Sequence, residues 1–88
     1  MTEGNLPPLY PCLFPVKIIG KTGLAFETDV LSVMRRHVDD LAEEKIGRTE
    51  SSGGKYLSLT IYINAQSREH LEQVYAELNA RESVILVL

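Results

Sequence analysis

Ten residues past the middle of the chain, Tyr56-Leu57-Ser58-Leu59-Thr60-Ile61-Tyr62-Ile63-Asn64-Ala65, restrict the fold more than any other segment. Leu57, Leu59, Ile61 and Ile63 share one parity, and Tyr56, Ser58, Thr60, Tyr62 and Asn64 share the other. Side chains of a strand alternate between its two faces, so this segment is a strand with one face in a core and the other turned outward. A single apolar strand face needs a second layer, and two helical stripes supply it. Phe26, Val30, Val33, Met34, Val38 and Leu41 recur at spacings of three and four, and Leu71, Val74, Tyr75 and Leu78 do the same.

The helix ends follow from charge and capping. Arg35, Arg36 and His37 suit the C-terminal carbonyls of the first helix, whereas Asp39 and Asp40 are repelled by them, so that helix is expected to end near Val38. Ser67 is placed to cap the second helix, with Glu69 in its first turn and Asn79 as a left-handed stop.

Three further strands complete the pattern. Phe14 to Gly20 alternates and forms the first, and Lys21-Thr22-Gly23 turns it into the first helix. The acidic run from Asp39 to Glu44 reads as a solvated connection. Lys45 to Glu50 makes a short, weakly patterned strand, and Ser51-Ser52-Gly53-Gly54 makes a hairpin tip. Ser83 to Leu88, rich in β-branched residues and too short for a helix, is the last strand.

The order βαββαβ, with right-handed crossovers on both sides of a hairpin, predicts an α+β ferredoxin-like sandwich. Its four-stranded antiparallel sheet has the order 4-1-3-2, and both helices lie on one face. The last strand then sits at an edge although it is apolar on both faces, which predicts cover by a partner or by the N-terminal segment.

With 88 residues there is room for one domain, expected over residues 12–88. Residues 1–11, with Pro7, Pro8 and Pro11, read as a flexible lead-in. One cysteine, Cys12, no basic-then-apolar leader and no apolar run longer than Val84 to Leu88 point to a cytoplasmic protein with no membrane role. The net charge of −3 disfavours non-specific nucleic-acid binding.

The segments Phe14 to Gly20, Met34-Arg35-Arg36-His37, Ser52 to Ile61 with Asn64-Ala65, Leu71 to Leu78 and Val84 to Leu88 together resemble the YbeD-like family of small uncharacterised bacterial proteins. The match spans about Tyr10 to Leu88. The resemblance implies a ferredoxin-like fold similar to the ACT regulatory domain, no established biochemical activity, no catalytic residues to carry over, and an association with lipoate metabolism.

Catalytic constellations are thin. Cys12 lies in a proline-flanked segment with no base brought to it and reads as a small apolar residue. The loop after the first strand lacks the paired cysteines of a metal chaperone and the arginine of an acylphosphatase-like phosphate loop. His37 and His70 fall at the same end of the sheet, where Asp39 or Asp40 could join them, but capping and surface roles outweigh a metal site, and none is predicted. Gly54-Lys55-Tyr56 faintly resembles an RNA-recognition strand, yet Ser58 and Thr60 stand where stacking aromatics are needed.

A non-enzymatic binding or regulatory module, without a cofactor, is therefore expected. Its interaction surface is the outward face of the sheet, carrying Lys17, Ile19, Tyr56, Ser58, Thr60, Tyr62 and Asn64, together with the apolar edge. The expected partner is another protein or a second copy of the chain. The alternatives are a weak RNA-binding module and a small-molecule effector at Gly20, Lys21, Thr22 and Gly23, where glycines allow close backbone approach and a helix start offers free N–H groups.

Overall fold

A computed structural model describes residues 9–39 and 41–88. Four strands and two helices follow in the expected order: β1 (Cys12–Lys21), α1 (Leu24–His37), β2 (Ile46–Glu50), β3 (Tyr56–Ala65), α2 (Arg68–Asn79) and β4 (Val84–Val87). The antiparallel sheet runs β2-β3-β1-β4, which is the predicted 4-1-3-2 read from the other edge.

The parity of β3 decides the layering. Leu57, Leu59, Ile61 and Ile63 are buried beneath the helices, and burying each such side chain is worth about 1.5–3 kcal/mol. Val16 and Ile18 of β1 join them, with Phe26, Val30, Val33 and Met34 from α1 and Leu71, Val74, Tyr75 and Leu78 from α2. The helical stripes read from sequence are thus the buried faces of both helices. Leu41 lies beyond α1, yet it too packs against this core.

Element ends show where local signals compete with packing. The helix α1 stops at His37 with Val38 extended, as the charges predict. Part of the expected solvated run is a 3-10 turn at Glu43–Lys45, so β2 starts at Ile46. Ser67 caps α2, its side chain accepting from the His70 N–H at 3.0 Å. Asn79 is not a left-handed stop. It remains within α2, where its Nδ2 donates to the Tyr75 carbonyl at 3.0 Å, and Ala80 is right-handed.

The strand β1 is longer than the alternation alone implies, starting at Cys12 and reaching Lys21, because β3 offers partners along its whole length from Ala65 to Tyr56. At the β3 end of the hairpin, Gly53 and Gly54 have φ of 86° and 70°, values that side-chain-bearing residues rarely adopt. Tyr10, expected within the lead-in, packs against the core, and residues 1–8 lie outside the described residues.

The edge strand β4 breaks simple alternation. Its register with β1 shifts between Ile19 and Gly20, so Val87 pairs with Ile18, Leu86 with Ile19 and Val84 with Gly20. Val84 and Val87 both turn to the core, while Ile85, at the irregularity, and Leu86 are exposed. Leu88 prolongs the pairing, donating its N–H to the Lys17 carbonyl at 2.8 Å.

Candidate functional site

With both helices on one side, the other face of the sheet carries nothing among the described residues. The register assembles it in cross-strand rows: Leu86, Ile19, Ser58 and Thr49 in one, Leu88, Lys17, Thr60 and Gly47 in the next. Tyr62 with Pro15, and Asn64 with Leu13, extend it toward one end, and Tyr56 with Lys21 toward the other. All seven residues expected on this surface are on it. Sequence alone misses Leu13 and leaves open which side chains of the apolar last strand face outward; Leu13, Leu86 and Leu88 are 60%, 45% and 50% exposed, whereas Tyr56 and Tyr62 are each 44% exposed. Ser58 Oγ, in the centre, is shielded from solvent and finds no hydrogen-bond partner among the described residues.

Lysine outweighs acid on the open side: Glu50 reaches the rim of the cleft lined by Lys17, Ile19, Tyr56 and Ser58, and Asp39 that of Lys45. No open-face position of the four strands is acidic. Lys17 and Lys21 project from the face itself. Lys55 borders a shallow cleft with Lys21 and Tyr56 at the hairpin rim, and Lys45 borders another with Tyr62, Asn64 and Asp39 at the opposite rim. All four lysines are exposed, and none makes an ion pair among the described residues.

Four of the five arginines, by contrast, are paired on the helical side, while Arg35 is exposed there with no ion pair among the described residues. Arg36 pairs with Glu77, Arg68 with Glu72 and Arg81 with Asp29. Arg48 faces the helices from β2 and grips Glu27 of α1 through two hydrogen bonds, of 2.9 and 3.1 Å, and Glu43 at 2.6 Å. Hydrogen bonding from Arg48 pulls the Glu27 pKa below the ordinary carboxylate value despite its partial burial, and the two carboxylates push that of Arg48 up.

The four residues expected at a small-molecule site do not line one cleft. Gly20 is buried, and an added Cβ would lie 2.2 Å from Phe26 Cδ1, so its missing side chain makes room for the core rather than for a ligand. Lys21 faces the open side, opposite Tyr56. Thr22 and Gly23 do border a cleft of about 460 Å³ at the start of α1, completed by Leu24, Glu27, Arg48, Glu50 and Leu57. Gly23, with φ 153° and ψ 163°, holds a backbone conformation essentially reserved for glycine, and no side chain caps the helix. The β2 residues of this cleft were not legible as site residues, since Arg48 lies 21 positions from Glu27 in sequence.

His37 and His70 do meet, with ring centroids 6.1 Å apart. Protein groups meet both nitrogens of His70 and Nε2 of His37. His70 Nδ1 accepts from the Gln66 N–H at 3.1 Å, so its Nε2 is the donor to the His37 carbonyl at 2.8 Å. His37 Nε2 lies 2.7 Å from Glu77 Oε2. Burial, with the neighbouring His70 and Arg36, lowers the His37 pKa below the usual imidazole value, so at neutral pH the ring donates its Nε2–H to Glu77. The pair is a clasp between the end of α1 and the start of α2. Asp40 lies outside the described residues, and no group of three or more potential metal ligands occurs among those described. Cys12 is half-buried against the core, and no described helix is long and apolar enough to cross a membrane.

Residues 9–88 match the family described as "Protein of unknown function (DUF493)". The chain belongs to the DUF493 family. A UPF0250 protein of Chromobacterium violaceum is 40% identical over 79 residues, covering 90% of this chain and 89% of that one. Another UPF0250 protein, from Nitrosomonas europaea, is 39% identical over 88 residues and the full length of both. These relatives agree with the resemblance to small uncharacterised bacterial proteins drawn from the sequence.

Among solved structures, the DUF493 chain is similar to protein HP0495 from H. pylori, with a TM-score of 0.69 and 16% identity over 98% of this chain and 91% of that one. It is also similar to the ACT domain from the GTP pyrophosphokinase of Chlorobium tepidum, with a TM-score of 0.65 and 13% identity over 86% and 94%. The fold is therefore ACT-like and ferredoxin-like.

Proposed function

We propose that this DUF493 protein is a non-enzymatic regulatory module that acts by binding another protein through its open sheet face and the β4 edge. The observation that carries this reading is the apolar patch of exposed Leu86 and Leu88 with half-buried Ile19 beside them, on a sheet whose other side is fully used by the helices. Exposed apolar rows on a small domain mark interaction sites, and an uncapped edge strand can accept another chain. The ACT-like fold supports a regulatory role by analogy of fold alone. On the family resemblance alone, the proposal extends to regulation within lipoate metabolism, in the cytoplasm.

Self-association is a further mode. Two open faces set against each other would oppose lysines, which favours the unpaired β4 edge over the face for a second copy. Sedimentation at high micromolar concentration is expected to show a dimer, and a monomer there would remove this mode. The cleft of Thr22, Gly23 and Leu24 favours a second reading, a small-molecule effector at the start of α1. Arg48 is already held by two carboxylates, which leaves the cleft little unneutralised positive charge.

Amide chemical shifts separate the readings. Amino acids or acyl compounds that bind the cleft should move Thr22 to Leu24, whereas a protein partner should broaden Tyr56 to Asn64 and Val84 to Leu88. Movement confined to the turn would overturn the protein-binding reading.

A further inference from the structure

The net charge of −3 conceals a face of opposite sign. Glu27, Asp29, Glu43, Glu72 and Glu77 meet arginines, whereas Lys17, Lys21, Lys45 and Lys55 surround or stand on the apolar open face without an ion pair among the described residues and outnumber Glu50 and Asp39 at its rim. We propose that this face docks an acidic protein segment carrying apolar side chains. The proposal rests on the reading of the open face as the working surface and adds the chemistry of its partner.

The reasons are complementary. Unpaired lysines at the rim steer an acidic partner and reject basic ones, and the apolar row of Leu86, Leu88 and Ile19 supplies the contact area that charge alone does not.

The other occupants fit less well. A second copy set face to face would bring like charges together. Nucleic acid shares the acidity, but the exposed aromatics Tyr56 and Tyr62 are separated by ~20 Å along β3, with Ser58 and Thr60 between them. The remaining apolar groups are aliphatic and offer bases no ring to stack on.

The test is a titration of the ¹⁵N-labelled full chain, followed by amide shifts, with a short synthetic peptide of Glu, Leu and Phe. The same peptide with Lys for Glu, a mixed-sequence single-stranded RNA and vesicles containing phosphatidylserine serve as the other arms. The Glu peptide should move Lys17, Ile19, Ser58, Thr60 and Leu86 and leave both helices in place. Raising salt from ~50 to ~300 mM should weaken it several-fold. A Lys17→Glu/Lys21→Glu variant should bind about tenfold more weakly. Both side chains are exposed, and an unchanged helical spectrum would verify its fold.

Equal binding of the Lys peptide on the same face would overturn the acidic selectivity while leaving the open face as a docking surface. Tighter binding of RNA or vesicles there would replace the proposed partner class. Shifts confined to the helices or to the α1 turn, or no shift with any arm, would overturn both the proposal and the reading beneath it.

Discussion

A methyl group added at Gly20 would sit 2.2 and 2.4 Å from Cδ1 and Cε1 of Phe26 and 2.6 Å from the Ser83 carbonyl oxygen. The first two contacts belong to a fully buried ring, the third to the backbone entering β4, and neither is a loose side-chain end that can swing aside. Overpacking of this kind costs about 1–3 kcal/mol when the surroundings give, and the backbone contact places Gly20→Ala at the upper end, ~3 kcal/mol. The entropy removed from the unfolded chain by replacing glycine offsets at most about 1 kcal/mol. A net loss of ~2 kcal/mol corresponds to a fall in Tm of roughly 8–16 °C for a domain of this size.

Urea unfolding followed by circular dichroism measures the effect, with Phe26→Leu and the double variant completing a cycle. Shrinking the ring should recover part of the loss in the double variant, so the two substitutions should be non-additive by about 1 kcal/mol. A Gly20→Ala protein as stable as the parent, or strictly additive substitutions, would refute the reasoning that Gly20 is required by packing.

Three further outcomes follow from the helical layer. Ser67→Ala removes the α2 cap and should cost ~1 kcal/mol in urea unfolding, with Ser67→Asp close to neutral. Arg48→Met removes a network at the rim of the cleft; its side chain is about one-third exposed, so the loss should be no more than ~1 kcal/mol and should shrink in high salt. The pKa of His37 is lowered in the fold, so below the unfolded value of about 6.5 the unfolded chain takes up a proton that the fold resists. Stability from this group is thus lost as pH falls from about 7, with a slope of at most ~1.4 kcal/mol per pH unit. His37→Gln should flatten the stability profile there, and parallel profiles would contradict the assignment.

Much of the fold was legible because independent signals agreed on it. The parity of Leu57, Leu59, Ile61 and Ile63, the two helical stripes and the Ser67 cap each recur in the structure where the residues put them. Val84 to Leu88 could not be oriented from sequence, since every position is apolar and the register shift at Ile19/Gly20 defeats either parity. Asn79 was misread because its side chain finds a carbonyl inside the helix, a local bond that competes with the left-handed stop.

The open face was legible in part. Lys17 and Lys21 share the parity of Ile19, but a net charge summed over the whole chain hides that lysines outnumber the acids, Glu50 and Asp39, that border this face. Arg48 and Glu50 could be joined to Thr22 and Gly23 only once β2 was seen beside β3, and Gly20 parted from them only once Phe26 was seen above it.

The most direct test of a protein that works through one face of its sheet is the amide spectrum of the ¹⁵N-labelled chain in an extract of its own cells. Line broadening should concentrate at Lys17, Ile19, Tyr56 to Asn64 and Leu86 to Leu88, with the solvent-facing sides of α1 and α2 left sharp. Broadening centred on the helices, or on Thr22 to Leu24, with the open face unaffected, would contradict the account.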